Sequence, residues 1–223
     1  MIGVIPSAGK GERFGGVCKA LVMHRGQFLI ENPLNLMNDL GLKKVIIIQH
    51  DKTIEETIGK KYKNLKLKYV QQKEQTGISD AILKAEKLVK EDMLIIFCDI
   101  IYNGGLKKMK LNWDDRKHPK SPLKKPIVMY GFQKVKDKNK IKKSYGIAKV
   151  CFGGFSIIEK PKDINILLPI LGLGIYMANK NFFKYLKKTS EITNALNLVP
   201  SDEIKPFELK GKYVNVNTKE DLK

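Results

Sequence analysis

The chain is short of the residues that staple or metallate small proteins. Its three cysteines, Cys18, Cys98 and Cys151, are odd in number and far apart, which predicts neither a disulfide framework nor a zinc site. Its three histidines, His24, His50 and His118, add no metal-ligand spacing. A reducing cytoplasm is the expected compartment. Long hydrophobic runs are missing too. The longest, Ile164–Ile175, is too short to span a bilayer and contains Asn165 and Pro169. No signal peptide precedes the first apolar segment, so no membrane or export route is predicted. Arginine is scarce: Arg13, Arg25 and Arg116 are the only three among 42 basic residues. A formal charge of +19 would suit a nucleic-acid binder. Base-edge readout favours arginine's forked donor, however, and the lysines here are dispersed. The charge is therefore read as a lysine-biased composition with no specific nucleic-acid partner. Its positive field would still gather anionic substrates.

At 223 residues, with 43% hydrophobic and 29% charged, the chain can bury one sizeable core. Elements alternate between strand and helix through residue 100. Met1–Ile5, Lys43–Gln49, Leu65–Gln71 and Met93–Cys98 read as strands, the second a nearly continuous β-branched run suited to burial on both faces. Between them, Phe28–Leu40 reads as a helix stopped by Gly41. Thr53–Glu56 reads as a capping box opening a helix to about Tyr62. Ile78–Val89 has helical periodicity. Residues 104–125, with Pro119 and Pro122 and many charges, read as a variable connection with one short helix. Beyond it, Ile127–Val135 and Leu171–Met177 read as strands, and Tyr145–Phe152 with Phe155–Lys160 as a hairpin. Asn179–Leu186 and Ile192–Leu198 read as helices, and Phe207–Leu209 is expected to pair with Tyr213–Val216 around Gly211. This alternation predicts a mostly parallel sheet covered by helices.

Familiar phosphate loops are missing as well. No Gly-Lys-Ser/Thr occurs, which excludes a P-loop, and Phe14 stands where a dinucleotide fingerprint needs its third glycine. The first strand leads instead into Pro6-Ser7-Ala8-Gly9-Lys10-Gly11-Glu12-Arg13-Phe14-Gly15-Gly16, then Lys19. Its glycines let the backbone turn tightly and bring N–H groups close to a ligand. Backbone donors plus Arg13 and Lys19 at a strand end suit a triphosphate. Asp99 closes the strand Met93–Cys98, at the carboxyl edge where open α/β sheets bind ligands. A single acid there suits Mg²⁺, which completes its shell with water and phosphate oxygens.

The order Gly-x-Gly-x-Arg-Phe, then Lys, resembles the signature of the sugar nucleotidyltransferases, with Ser7 and Glu12 departing from it. Further segments occur in that family's order. Gln71–Ala81 resembles its base-recognition segment, Asp99 its metal aspartate (with Cys98 in place of a glycine), and Tyr145-Gly146-Ile147 with Glu159-Lys160-Pro161 its sugar-phosphate segments. Gly174-Ile175-Tyr176 is similar to its later Gly-Ile-Tyr strand, with Leu173 in place of a polar residue. Tyr213–Leu222 is similar to its terminal motif, with Asn215 in place of a second metal aspartate.

The resemblance implies a Rossmann-like three-layer αβα, GT-A-like nucleotidyltransferase fold with a mixed, mostly parallel central sheet. It implies one domain over 1–223, with a nucleotide-binding half to about residue 102 and a sugar-phosphate-binding half from about 103. It also implies Mg²⁺-dependent transfer of NMP from an NTP to a sugar 1-phosphate. Arg13, Lys19, Asp99 and Lys160 would be catalytic. Ala8, Gly9, Gly11, Gln72, Gln75 and Gly77 would bind the nucleotide. Tyr145, Gly146, Glu159, Lys160 and Gly174 would bind the acceptor, and Asp99 with Asn215 the metal. No acyltransferase extension is present in the sequence, which predicts a single-activity enzyme. A cytidylyltransferase acting on phosphocholine or a polyol phosphate stays open, as do a non-catalytic nucleotide binder and a homo-oligomer. A glycosyltransferase using a finished NDP-sugar would be expected to carry Asp-x-Asp, which the sequence lacks.

Overall fold

The computed structural model describes residues 1–9, 11, 14–115, 126–136, 145–149, 155–159 and 167–222. In chain order the first half runs β1 (Ile2–Pro6), the small hairpin β2 (Met23–His24) and β3 (Gln27–Phe28), α1 (Glu31–Asp39), β4 (Lys44–Gln49), α2 (Thr53–Ile58), β5 (Lys61–Tyr62), β6 (Leu65–Gln71), α3 (Ile78–Leu83), β7 (Met93–Ile96) and β8 (Ile100–Tyr102). The second half runs α4 (Lys107–Asp115), β9 (Val128–Lys134), β10 (Tyr145–Lys149), β11 (Phe155–Glu159), β12 (Leu167–Ala178), α5 (Phe183–Leu186), α6 (Ile192–Asn197), β13 (Ile204–Glu208) and β14 (Tyr213–Asn215).

The central sheet has the order β11-β10-β12-β7-β1-β4-β6-β5, with β9 on β12 and β13 on β9. It is parallel through β7-β1-β4-β6 and antiparallel where β12 joins β7, β9 and β10. Alternate side chains of the central strands feed two cores. Val4, Ile46, Ile48 and Ile95 pack with Ala81, Ile82, Leu186 and Ile192 on one face. Ile5, Ile47, Leu94 and Ile96 pack with Leu34, Met37, Met109 and Trp113 on the other. Each such large side chain contributes about 1.5–3 kcal/mol by burial, which is why these strands are apolar through their centres. Helices on both faces make the three-layer αβα arrangement. Among the described residues no helix is long and apolar enough to cross a membrane.

Several local expectations are corrected. The helix expected from Phe28 starts at Glu31, because Phe28 pairs with Met23 and its N–H donates to the Glu31 carboxylate at 2.7 Å. The capping box at Thr53 does not form: Asp51 Oδ1 accepts from Thr53 N–H at 2.9 Å, an Asx turn two residues long. That helix ends at Ile58, and Tyr62 turns back to pair with Leu65. The helix expected to reach Val89 ends at Leu83 and continues as tighter turns such as Leu88 N to Ala85 O at 2.9 Å. The strands at 207–209 and 213–216 do not pair with each other. Phe207 registers with Gly131 on β9, and Tyr213–Asn215 lies antiparallel on β8. The turn 150–154 of the expected hairpin lies outside the described residues, but Tyr145–Lys149 and Phe155–Glu159 do pair antiparallel.

Candidate active site

The loop after β1 is held from both ends. Ser7 N–H donates to Ile48 O at 2.7 Å, continuing the sheet, and Phe14 N–H closes back on Gly11 O at 2.8 Å. Gly11 has φ +63°, and a Cβ there would overlap the Val17 carbonyl oxygen, so only glycine fits. Phe14 is buried with Leu29 and Val216 in a small core of its own. That core ties the glycine loop to the C-terminal strand. Arg13, Lys10 and Glu12 lie outside the described residues.

Lys19 opens a single 3₁₀ turn, Lys19–Leu21, pinned by buried Ala20. Its Nζ reaches Asp99 Oδ2 at 2.6 Å, with both side chains about 20% exposed. The loop cation and the acid therefore meet, eighty residues apart in sequence; β7 ends at Ile96 rather than at the expected Cys98, and Asp99 sits in the turn before β8. Asp99 is fixed by its own backbone, since Val216 N–H donates to Asp99 O at 3.0 Å. The same pairing seats Asn215 opposite Ile100 on β8.

Asp99 Oδ1 and Asn215 Oδ1 are both buried without a hydrogen-bond partner. A buried oxygen with no donor is costly, and two at neighbouring positions are the donor set of a hard cation. The residues present thus fit Mg²⁺. No cluster of three or more His, Cys, Asp or Glu residues able to hold a metal occurs among the described residues.

The glycine loop, Lys19, the segment around Gln72–Gly77 and Asp99 line one cleft of about 310 Å³, whereas Asn215 is not among its lining residues. Ala8, Gly9, Gly11 and Lys19 form one side. Gln72, Gln75 and Gly77 form another, and Asp99 closes the end. Gln72 N–H extends the β4–β6 ladder to Gln49 O at 2.8 Å, and the residue is 3% exposed. Its Nε2 donates to Gly77 O at 3.2 Å and to Asp80 Oδ2 at 2.8 Å. Burial opposes the charged form of Asp80. Hydrogen bonds from Thr76 and Gln72, with Lys84 alongside, outweigh it and hold the carboxyl below its ordinary range. Gln75 Nε2 donates to Ala8 O and clips this segment onto the glycine loop. Gly77, expected to admit a ligand, lines the cleft and also meets a steric demand. At φ +116° an added Cβ would lie 2.5 Å from Ser190 O, and Ser79 N–H donates to that same oxygen at 2.9 Å.

Not every expected residue joins this cleft. Gly174, φ +67°, sits at a bulge of β12 where a Cβ would press on Phe97 at 3.0 Å. Tyr145 pairs with Glu159, and Gly146 with Ile158, across β10 and β11. Lys160 lies outside the described residues. The sequence reading missed Phe97, Ile78 and Ala81, which make the apolar wall; they carry only the signal of ordinary core residues. It also missed Asp80 and Ser190. Cys98 is buried against the site, and burial together with the Asp99 charge pushes its thiol up to about 12. Burial raises Cys18 as well. Both are neutral spectators rather than activated thiols.

The family model for the MobA-like NTP transferase domain matches residues 3–107. The bifunctional protein GlmU of Methanococcus maripaludis is 24% identical over 231 residues, covering 97% of this chain and 51% of that protein. The UTP–glucose-1-phosphate uridylyltransferase AglF of Haloferax volcanii is 28% identical over 112 residues, covering 48% of this chain and 46% of that protein. The chain thus spans about half the length of these relatives. A UDP-glucose pyrophosphorylase solved with UDP-glucose superposes with a TM-score of 0.83 at 20% identity, covering 99% of this chain and 95% of that one. The fold is therefore the α/β, GT-A-like fold of the nucleotidyltransferases.

Proposed function

From the match of residues 3–107 to the model of the MobA-like NTP transferase domain, we propose that the chain transfers NMP from an NTP to a sugar 1-phosphate, releasing pyrophosphate and an NDP-sugar. Likeness to AglF, a UTP–glucose-1-phosphate uridylyltransferase by name, makes UTP the proposed nucleotide. The observation that carries the reading is the contact of Lys19 Nζ with Asp99 Oδ2 at 2.6 Å beside two partnerless buried oxygens. It brings the glycine loop and the strand-end acid into one cleft.

In the reaction an oxygen of the sugar phosphate attacks the α-phosphorus in line. A P–O bond to the incoming oxygen forms and the bond to pyrophosphate breaks. The nucleophile is anionic at neutral pH, so no general base is needed, and catalysis is positioning with charge stabilisation. Lys19 exchanges Asp99 for the α-phosphate, where charge develops. Arg13 and the N–H groups around Gly9 and Gly11 bind the β- and γ-phosphates. Lys160 aligns the incoming phosphate, while Tyr145, Gly146, Glu159 and Gly174 serve the sugar. Asp99 and Asn215 would hold Mg²⁺, which when bound supplies charge neutralisation between nucleotide and acceptor. Phe97, Ile78 and Ala81 keep water from the base and ribose.

The test is pyrophosphate release with Mg²⁺, four NTPs and a panel of sugar phosphates. Release is expected only when both substrates are present. Nucleotide binding with no release from any pair would refute the transferase reading.

A further inference from the structure

Gln72 offers the cleft one half of its amide. Both N–H bonds of Nε2 are used, one on Gly77 O at 3.2 Å and one on Asp80 Oδ2 at 2.8 Å. Both neighbours are acceptors, and the reverse orientation would set the amide oxygen against a carbonyl and a carboxylate. Asp80 is itself braced, by Thr76 Oγ1 at 2.7 Å and by Lys84 Nζ at 3.2 Å. Gln72 Oε1 takes no hydrogen bond from any described residue, and Gln72 lines the cleft. The glutamine is held as an acceptor.

We propose that Asp80 is a positioning residue for base selection: by fixing Gln72 as an acceptor only, it makes the cleft take uracil and reject cytosine. This rests on the reading of the chain as a UTP-dependent transferase. Uracil has one donor on its pairing edge, the ring N3–H, so an acceptor-only amide can meet it only there. Cytosine in the same seat turns an unprotonated N3 toward Oε1, lone pair against lone pair. A glutamine free to turn over would accept either base, presenting Nε2 to cytosine N3. The carboxylate behind the amide, not the glutamine alone, supplies the discrimination.

Isothermal titration of UTP and CTP, with no sugar phosphate present, tests this apart from turnover. The wild-type protein is expected to prefer UTP by about tenfold or more, as sites with fixed polar groups do. Asp80→Ala is expected to lose most of that preference, chiefly by gaining affinity for CTP. Asp80→Asn, whose Oδ1 still accepts from Nε2, is expected to keep it. Loss of packing alone would weaken both nucleotides together and leave their ratio unchanged. Should Asp80→Ala fail to fold, Gln72→Ala gives a second reading, with the ratio expected near one. Equal wild-type affinities, or a full UTP preference in folded Asp80→Ala, would overturn the proposal. Pyrophosphate release measured alongside separates the two ideas. Selective UTP binding with no release refutes the transferase and leaves Asp80's role standing. Release without base preference does the reverse, and binding of neither nucleotide overturns both.

Discussion

Lys19 and Asp99 neutralise each other in a place where neither is fully hydrated. Fully exposed ion pairs contribute little, but a pair drawn partly out of water holds its partners in place, and removing one member leaves the other uncompensated. Asp99 therefore has two cationic suitors, the Lys19 ammonium and a divalent ion. Lys19→Met is expected to tighten Mn²⁺ binding measured by spin resonance without nucleotide, because Asp99 Oδ2 no longer has a competitor. The same variant should lower kcat by about 10², the cost of losing one electrostatic stabiliser. Unchanged metal affinity together with unchanged kcat would remove Lys19 from both roles. A second residue gives a pH signature. Burial, with the Glu55 carboxylate nearby, pushes the Tyr69 phenol up to about 12 from an ordinary value of 10. The folded state then holds its proton where the unfolded chain has released it, so stability is complete below pH 10 and falls as pH rises toward 12. Tyr69 also donates to Gly59 O at 2.6 Å. Tyr69→Phe should cost about 1 kcal/mol at neutral pH and flatten the fall in urea midpoint between pH 10 and 12; an unaltered slope would count against Tyr69 as its source. Lys19, Asp99 and Gln72 stood out in the sequence because they follow the glycine loop or a strand, and the fold brings all three to one cleft. Asp80 did not: it is one more acid on a polar helix until folding sets it behind an amide.

Elements were legible where burial decides them and illegible where pairing decides them. The strand Leu65–Gln71 reads correctly to the residue, since alternation and a polar stop leave no other choice. The partners of β13 and β14 did not, because short segments pair with whichever edge is free, and sequence proximity favoured each other over β9 and β8. Gly77 shows the same limit. Its need for glycine comes from Ser190, more than a hundred residues away, whose carbonyl fastens the first turn of α3 to the segment before α6. Gly77→Ala must relieve a 2.5 Å contact with a backbone oxygen at φ +116°. The expected cost is about 1–3 kcal/mol, read as a lower urea midpoint. Nucleotide affinity should fall with it, because α3 carries Asp80 and the apolar wall. An unchanged midpoint would mean that the Ser190 segment yields freely and does not hold the base side of the cleft.

At the scale of the whole molecule, the family match stops at residue 107 but the core does not. β7 lies between β1 and β12, so the strand that leads to Asp99 takes its second partner from the second half. Val4 and Ile82 share a core with Tyr176, Leu186 and Leu196. Phe14 of the glycine loop is buried against Val216, next to Asn215. A nucleotide half alone would expose one edge of β7 and one face of α3, a loss no 100-residue core can absorb at the usual 5–15 kcal/mol of total stability. The proposal is that residues 1–223 unfold as one cooperative unit. Trp113, the only tryptophan, tests it well: it is buried in α4 beyond the family match, with Nε1 on Asp92 at 2.8 Å. Its fluorescence reports the junction of the halves, whereas far-ultraviolet dichroism reports the whole sheet. The two urea curves are expected to coincide, and Val216→Ala is expected to shift both together by about 2 kcal/mol. Curves that separate, with dichroism persisting after the tryptophan signal is lost, would show that the halves fold independently and that Asn215 is brought opposite Ile100 by docking.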